Sequence, residues 1–90
     1  MLFRSDARVA VVHGGAEAVI EGEVGAVVTL LPLGGPARGV RTTGLRYPLH
    51  GEDLDPTATR GVSNIVVGAP ASVSLATGTL LVVEPEVFAR

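Results

Sequence analysis

Glycine and proline divide the chain into short segments, and this division restricts the folds that it can adopt. The 90 residues include 12 Gly and 6 Pro, and no window of 11 or more residues has an uninterrupted helical apolar period. The runs between them are rich in Val, Leu and Ala, and β-branched side chains favour pleated, half-buried surfaces. Because hydrophobic residues make up 47% but aromatic residues only 3%, the core must consist of small aliphatic side chains. The pattern predicts an all-β protein with little or no helix.

Short strand-like runs recur along the chain at a spacing of roughly 8–12 residues, which is typical of a sandwich or barrel. Residues 18–24 alternate, with Ala18, Ile20 and Val24 predicted to face inward, and residues 26–33 resemble a central strand. We predict one domain over residues 1–90, a small antiparallel β-sandwich of jelly-roll type with about seven or more short strands. The predicted strands are 8–13, 18–24, 26–33, 40–49, 64–67, 72–75 and 79–83.

Composition and charge exclude several classes of function. A net charge of −2 gives no electrostatic attraction for nucleic acid, and the lack of cysteine excludes disulfides and thiolate metal sites. Residues 61–83 carry no charge, but Gly, Asn, Pro and Ser interrupt them too often for a membrane span. The opening residues MLFRSDAR place charges where a signal peptide is apolar. We therefore expect a cytoplasmic protein that binds neither nucleic acid nor a membrane.

The most polar stretch is GLRYPLHGEDLDPTATRGVSN, residues 44–64. Its carboxylates Glu52, Asp53 and Asp55 are the residue types that hold Mg²⁺ or Ca²⁺, but their spacing is not that of an EF-hand. A solvated loop with Asx-type turn caps is the simpler interpretation. We therefore predict that residues 50–59 form a solvated connection without chemistry.

Two further patterns in the chain have a catalytic and a structural interpretation. His50, Asp53 and Ser63 have the residue types of a nucleophilic triad, but no nucleophile-elbow sequence surrounds the serine. Residues 33–39, LGGPARG, are rich in glycine but lack the lysine of a phosphate-binding loop, and they are interpreted as a turn.

Five side chains have a ligand-binding interpretation beside a structural one. Tyr47 either stacks on a planar ligand or fills the core with its hydroxyl at the edge, and Arg46 and Arg60 either contact an anion or are solvated. Ser63 and Asn64 together offer donors and acceptors that suit the edge of a heterocycle, although a turn cap would also explain them.

The order of four motifs resembles the C-terminal domain of bacterial thiamine pyrophosphokinases. That family has a strand ending in Ile-Pro or Leu-Pro, then a Gly-Leu-(Lys or Arg)-Tyr-Pro-Leu segment, then Ser-Asn after a glycine-containing turn, and a closing Gly-x-Leu-Leu-Val. The corresponding motifs here are TLLPLGG (29–35), TTGLRYPL (42–49), RGVSN (60–64) and GTLLVV (78–83).

The resemblance implies a thiamine-binding and dimerisation domain. Enzymes of the family transfer a pyrophosphoryl group from ATP to thiamine with Mg²⁺, giving AMP and thiamine pyrophosphate. Their N-terminal α/β domain carries the metal and nucleotide site, and their β-sandwich lines the thiamine pocket near the dimer interface. The resemblance therefore implies a homodimer. The present chain lacks that α/β domain, so we expect it to be inactive alone, with Mg²⁺ and ATP needed only by the parent enzyme.

The resemblance also implies which residues contact thiamine. Ser63 and Asn64 match the family's Ser-Asn segment, Gly61 and Val62 lie in the same stretch, and Tyr47 matches a tyrosine that supports the site. No catalytic or metal-binding residue is expected in this chain. One departure is Ile65, where many members have glutamate. The alternative function is a non-catalytic β-sandwich used for assembly or for a ligand unrelated to thiamine.

Overall fold

Eight strands make up the computed structural model, which describes residues 7–57 and 62–85. These residues contain no helix, and therefore none long and apolar enough to cross a membrane. The all-β prediction is confirmed. The strands are β1 (Ala7–His13), β2 (Glu17–Ile20), β3 (Val27–Pro32), β4 (Ala37–Thr43), β5 (His50–Leu54), β6 (Val62–Ile65), β7 (Ala71–Ser74) and β8 (Thr79–Pro85).

The strands form two antiparallel sheets with jelly-roll topology. β1 pairs with β8, β2 with β7, β3 with β6, and β4 with β5, as in one long hairpin that has been rolled up. Further pairing of β3 with β8 and of β4 with β7 completes the sheets. The first sheet has the order β1-β8-β3-β6 and the second sheet the order β2-β7-β4-β5. The predicted jelly-roll sandwich is therefore confirmed.

One apolar core fills the space between the two sheets. Strand alternation directs every second side chain inward, as Val28 and Leu30 of β3 and Leu80 and Val82 of β8 show. Among the described residues the core has no aromatic member, in line with the small aliphatic core that the composition predicts. Its buried side chains are Val12, Ile20, Val28, Leu30, Ala37, Val40, Leu45, Leu54, Val66, Ala71, Val73, Leu75, Leu80 and Val82.

The prediction that residues 50–54 belong to a solvated connection is wrong. They form β5, an edge strand of the second sheet, in which only Leu54 is buried. With the other four side chains exposed, the strand lacks the alternating apolar signal on which a prediction depends. Its pairing with β4 is irregular, with register shifts on either side of Val40.

Two other boundaries also differ from the prediction. β4 begins at Ala37, inside the segment predicted as a turn, and ends at Thr43. Residues 44–49 lie outside the strands apart from a single bridge at Leu45. Val24, predicted to face inward, is 69% exposed because β2 ends at Ile20 and the chain turns before β3.

Gly44 marks the point where the chain leaves β4, and its conformation and surroundings both require glycine. Its φ is +73°, in the region that side chains with a Cβ rarely adopt. A Cβ at this position would lie 2.6 Å from the carbonyl oxygen of Gly68 and 2.9 Å from that of Pro70. Residues 44–47 can therefore take their path only because position 44 has no side chain.

Gly44→Ala is expected to destabilise the domain much more than Gly15→Ala, and chemical denaturation of the two variants would measure this. Gly15 is the matched control, since its φ is +88° but a Cβ there would meet nothing within 4 Å. Left-handed strain alone costs about 1–2 kcal/mol. The backbone clash at Gly44 should add at least about 2 kcal/mol. Equal losses of unfolding free energy would contradict this account of the close approach.

Candidate functional site

Residues 44–47, called the rim segment below, run along the edge of β6. The Val67 amide donates to the Gly44 carbonyl at 2.8 Å, and the Arg46 amide donates to the Ile65 carbonyl at 2.9 Å. An edge strand otherwise exposes a row of unpaired backbone groups. The rim segment thus covers part of the β6 edge and brings together two motifs that lie far apart in sequence.

Leu45 anchors the rim segment in the core. It forms an isolated antiparallel bridge with Val66, and its side chain is only 4% exposed. Burying a leucine side chain contributes roughly 1.5–3 kcal/mol. The rim segment is therefore held by apolar burial as well as by backbone hydrogen bonds.

The side chain of Asn64 extends this backbone pairing by one more residue. Its Oδ1 accepts a hydrogen bond from the Tyr47 amide at 3.0 Å, and its Nδ2 donates to the Tyr47 carbonyl at 2.7 Å. Oδ1 also accepts from the Ile65 amide at 3.0 Å. Asn64 is buried, with 1% of its surface exposed. The carboxamide thus pairs with Tyr47 as a peptide group of a neighbouring strand would.

Ser63 and Asn64 lie on opposite faces of β6, because successive strand residues alternate. Asn64 is opposite Val28 and faces the core, whereas Ser63 is opposite Thr29 and is exposed. The Ser63 hydroxyl lies 3.2 Å from that of Thr29, and either group can donate. The structure therefore does not bring the Ser63 and Asn64 side chains together on one surface.

Tyr47 does not fill the core, which was one of its two interpretations from sequence. The residue is 61% exposed, and the Arg46 guanidinium carbon lies 5.9 Å from the centroid of its ring. This distance is within the range of a cation–π interaction. The two residues therefore present an aromatic surface and a positive charge at the rim.

The remaining sequence-predicted site residues lie at or beyond the limit of the described chain. Gly61, together with Arg60, lies outside the described residues. Val62 is the first residue of β6, and its backbone is opposite Leu30 of β3.

The carboxylates near β5 are engaged in local contacts. Asp53 forms an ion pair with Arg38 at 3.1 Å and accepts from the Gly39 amide at 3.0 Å. Glu52 accepts from the backbone amide of His50 at 2.7 Å. Both side chains are on an exposed edge of the second sheet. They stabilise the irregular β4–β5 pairing.

The catalytic interpretations of this region gain no support from the structure. Asp55 caps a turn by accepting from the amide and hydroxyl of Thr57, at 2.9 and 2.7 Å. His50 and Asp53 belong to the second sheet, whereas Ser63 belongs to the first. Within residues 7–57 and 62–85, no three His, Asp or Glu side chains converge on a point where a metal ion could bind.

Glu84 is a buried polar residue that the sequence analysis did not single out. Its Oε2 accepts a weak hydrogen bond from the Glu21 amide at 3.4 Å. Its Oε1 is buried without a hydrogen-bond partner among the described residues. The alternation of Leu80, Val82 and Glu84 along β8 was the signal in the sequence that places it inward.

Comparisons with known proteins agree with this architecture. The thiamin pyrophosphokinase from Geobacillus thermodenitrificans superposes with a TM-score of 0.82 at 18% identity, over 96% of this chain and 40% of that one. The thiamine pyrophosphokinase from Bacillus subtilis gives a TM-score of 0.78 at 20% identity, over 91% of this chain and 38% of that one. At such identities the likeness shows the fold. The chain therefore spans about two fifths of the length of these structures.

A family model identifies the domain more specifically. No curated protein matches the chain. The model described as "Thiamin pyrophosphokinase, vitamin B1 binding domain" matches residues 17–80, which include the rim segment and all of β6. The resemblance noted in the sequence is confirmed: the chain belongs to the family of vitamin B1 binding domains of thiamin pyrophosphokinases.

Proposed function

We propose that this chain is the thiamine-binding and dimerisation domain of a thiamine pyrophosphokinase. The observation that carries the proposal is the contact between the two family motifs, in which Asn64 of one motif is hydrogen-bonded to the Tyr47 backbone of the other. Two segments 17 residues apart thus form a single rim at one edge of the first sheet. The proposed parent reaction converts ATP and thiamine into AMP and thiamine pyrophosphate.

The chemistry of that reaction is proposed for a longer protein. Phosphoryl transfer depends on positioning and on metal-assisted stabilisation of charge. The described residues contain no set of side chains that fits a Mg²⁺ ion. We infer that this domain contributes substrate binding and that ATP and Mg²⁺ bind to a part of the enzyme corresponding to the remaining three fifths of the solved structures. The chain alone should not turn over thiamine.

The rim has chemical groups that suit thiamine, which combines an aminopyrimidine with a positively charged thiazolium ring. The exposed Ser63 hydroxyl can donate and accept hydrogen bonds at a heterocycle edge. The exposed Tyr47 ring offers a π surface to a planar cation. We propose that thiamine binds at this rim, with Gly61, Val62, Ser63 and Asn64 as the stretch of the chain nearest to it.

The outer face of the first sheet supports the proposed dimerisation. Val9, Val83, Thr29 and Ser63 form one row across its four strands. Val9, Val11 and Val27 are 46–54% exposed. No Asp, Glu, Lys or Arg projects from this face among the described strand residues. Its members are Val9, Val11, His13, Val27, Thr29, Leu31, Ser63, Ile65, Thr79, Leu81 and Val83.

The outer face of the second sheet has the opposite character. Glu17, Ser74 and Arg41 form a row across three of its strands, and the Arg38–Asp53 ion pair lies nearby. Such a face is stable in water, whereas an apolar sheet face of this kind marks an interaction surface. The difference between the two faces supports the first sheet as the one that we propose to be covered.

A second copy of the chain is the occupant that we propose for the apolar face. An isologous dimer places the same surface on both sides of the interface, so an uncharged apolar face is its own complement. Four strands about 4.8 Å apart, each about 20 Å long, span roughly 400 Å² of flat area. When this face is covered on both copies and the uneven surface of the side chains is counted, the buried area approaches about 1,200 Å² in total, the lower end for specific interfaces. The isolated domain should therefore associate reversibly.

Calorimetric titration of thiamine into the chain is the test of ligand binding. Wild-type protein should bind thiamine. The double variant that carries both Ser63→Ala and Asn64→Ala should bind at least tenfold more weakly, a loss of about 1.4 kcal/mol. Ser74→Ala, on the outer face of the second sheet, is the control and should leave the affinity unchanged. Binding that survives the double substitution would place the ligand elsewhere. Self-association without any thiamine binding would favour the alternative, an assembly module unrelated to thiamine.

Val11→Lys is expected to weaken self-association by at least tenfold, because the interface would then bury an unpaired charge. Val19→Lys is the matched control, since Val19 is 65% exposed on the polar face of the second sheet. Sedimentation equilibrium or light scattering should find wild-type protein at twice the chain mass of 9.2 kDa at high micromolar concentration. A 9.2 kDa wild-type particle at that concentration would count against the dimer.

A further inference from the structure

We propose that Asn64 is a positioning residue, which acts on ligand binding through the backbone of Tyr47 and makes no contact with the ligand itself. The claim that Asn64 affects ligand binding rests on the proposed function. The claim that Asn64 positions Tyr47 rests only on the hydrogen bonds of the described residues.

The hydrogen-bonding capacity of the Asn64 carboxamide is nearly exhausted within the protein. An asparagine side chain has one oxygen with two lone pairs and two N–H donors. Both lone pairs are used, by the amides of Tyr47 and Ile65, and one N–H is donated to the Tyr47 carbonyl. Only one N–H remains, on a residue that is 1% exposed. A ligand could use the donor and acceptor of Asn64 together only by displacing Tyr47.

The sequence around Tyr47 explains why a side chain takes over the pairing at this point. Pro48 follows, and proline has no N–H to continue a ladder of backbone hydrogen bonds. The carboxamide of Asn64 resembles a peptide group, since it combines a carbonyl acceptor with N–H donors. It satisfies both backbone groups of Tyr47, whereas an aspartate could satisfy only the amide and an alanine neither.

The consequence for the site is that the Tyr47 ring depends on Asn64 for its place. The ring is exposed, so packing in the core does not orient it, and Arg46 is its one cation–π partner within the described residues. Of the side chains that the two family motifs contribute, the Ser63 hydroxyl, the Tyr47 ring and the Arg46 guanidinium remain exposed at the rim. We assign ligand contact to the Ser63 hydroxyl and the Tyr47 ring, and positioning to Asn64.

The single tyrosine of the chain provides a direct measurement. Because the sequence has one tyrosine and no tryptophan, tyrosine fluorescence reports on Tyr47 alone. Asn64→Ala should lower the steady-state anisotropy of Tyr47 and increase its quenching by acrylamide, while the far-UV circular dichroism of the sandwich is retained. Asn64→Asp keeps the acceptor for the Tyr47 amide but loses the donor, so it should change the anisotropy and quenching by an intermediate amount. It replaces the alanine variant in the test if that variant does not fold.

Thr42→Val is the matched control for these variants. Thr42 is also buried, and its hydroxyl accepts from the Leu49 amide at 2.9 Å, at the other end of the same β4–β5 connection. Its replacement removes a comparable side-chain-to-backbone hydrogen bond without touching Tyr47. The Tyr47 anisotropy of this variant should equal that of the wild type. An equal fall in both variants would show general loosening of the connection and would overturn the assignment.

Thiamine titrations of the same variants complete the test. Asn64→Ala should weaken thiamine binding in proportion to the loss of Tyr47 anisotropy, with Asn64→Asp between it and the wild type. A tenfold loss of affinity with unchanged Tyr47 anisotropy and quenching would mean that Asn64 contacts the ligand directly, and it would overturn the proposal. If wild-type protein fails to bind thiamine, the proposed function fails, whereas the fluorescence of the three variants still decides the role of Asn64.

Discussion

The structure depends on burying small aliphatic side chains between two four-stranded sheets. Burial contributes roughly 25 cal/mol per Å² of apolar surface, so Val and Ala each contribute less than an aromatic residue would. A chain of 90 residues buries a smaller share of its surface than a large domain does. Every part of the fold therefore has to supply core residues, including the β4–β5 connection, from which Leu45 enters the core. A domain of this size would gain stability if its apolar outer face were covered.

The sequence was sufficient to predict the architecture but not all of its strands. Alternation and turn residues identified the sandwich and the central position of β3, because buried strands leave a visible pattern. β5 left no such pattern, since Leu54 is its only buried residue and its pairing is supplied by the backbone of β4. An exposed edge strand can be recognised only when the strand beside it is known.

The motifs predict where the candidate site lies, but they do not predict how its side chains are arranged. Ser63 was expected to precede the strand that contains Asn64, whereas β6 begins at Val62 and its alternation separates the two side chains. The contact between Asn64 and Tyr47 joins residues 17 positions apart, and it follows from the placement of the rim segment against the β6 edge. Such contacts depend on strand register, which residue types alone do not fix.

The pairing of the first strand with the last has a consequence for how the domain connects to other parts of a protein. Ala7 lies opposite Pro85, so the chain enters and leaves the sandwich side by side on adjacent strands. Continuing the register across β8, β3 and β6 places this point level with Ile65, at the end of β6 beside the rim segment. Closely spaced ends allow a domain to be joined to, or inserted into, another without distortion. A second domain connected through these two strands would therefore be held close to the rim segment at a high effective concentration.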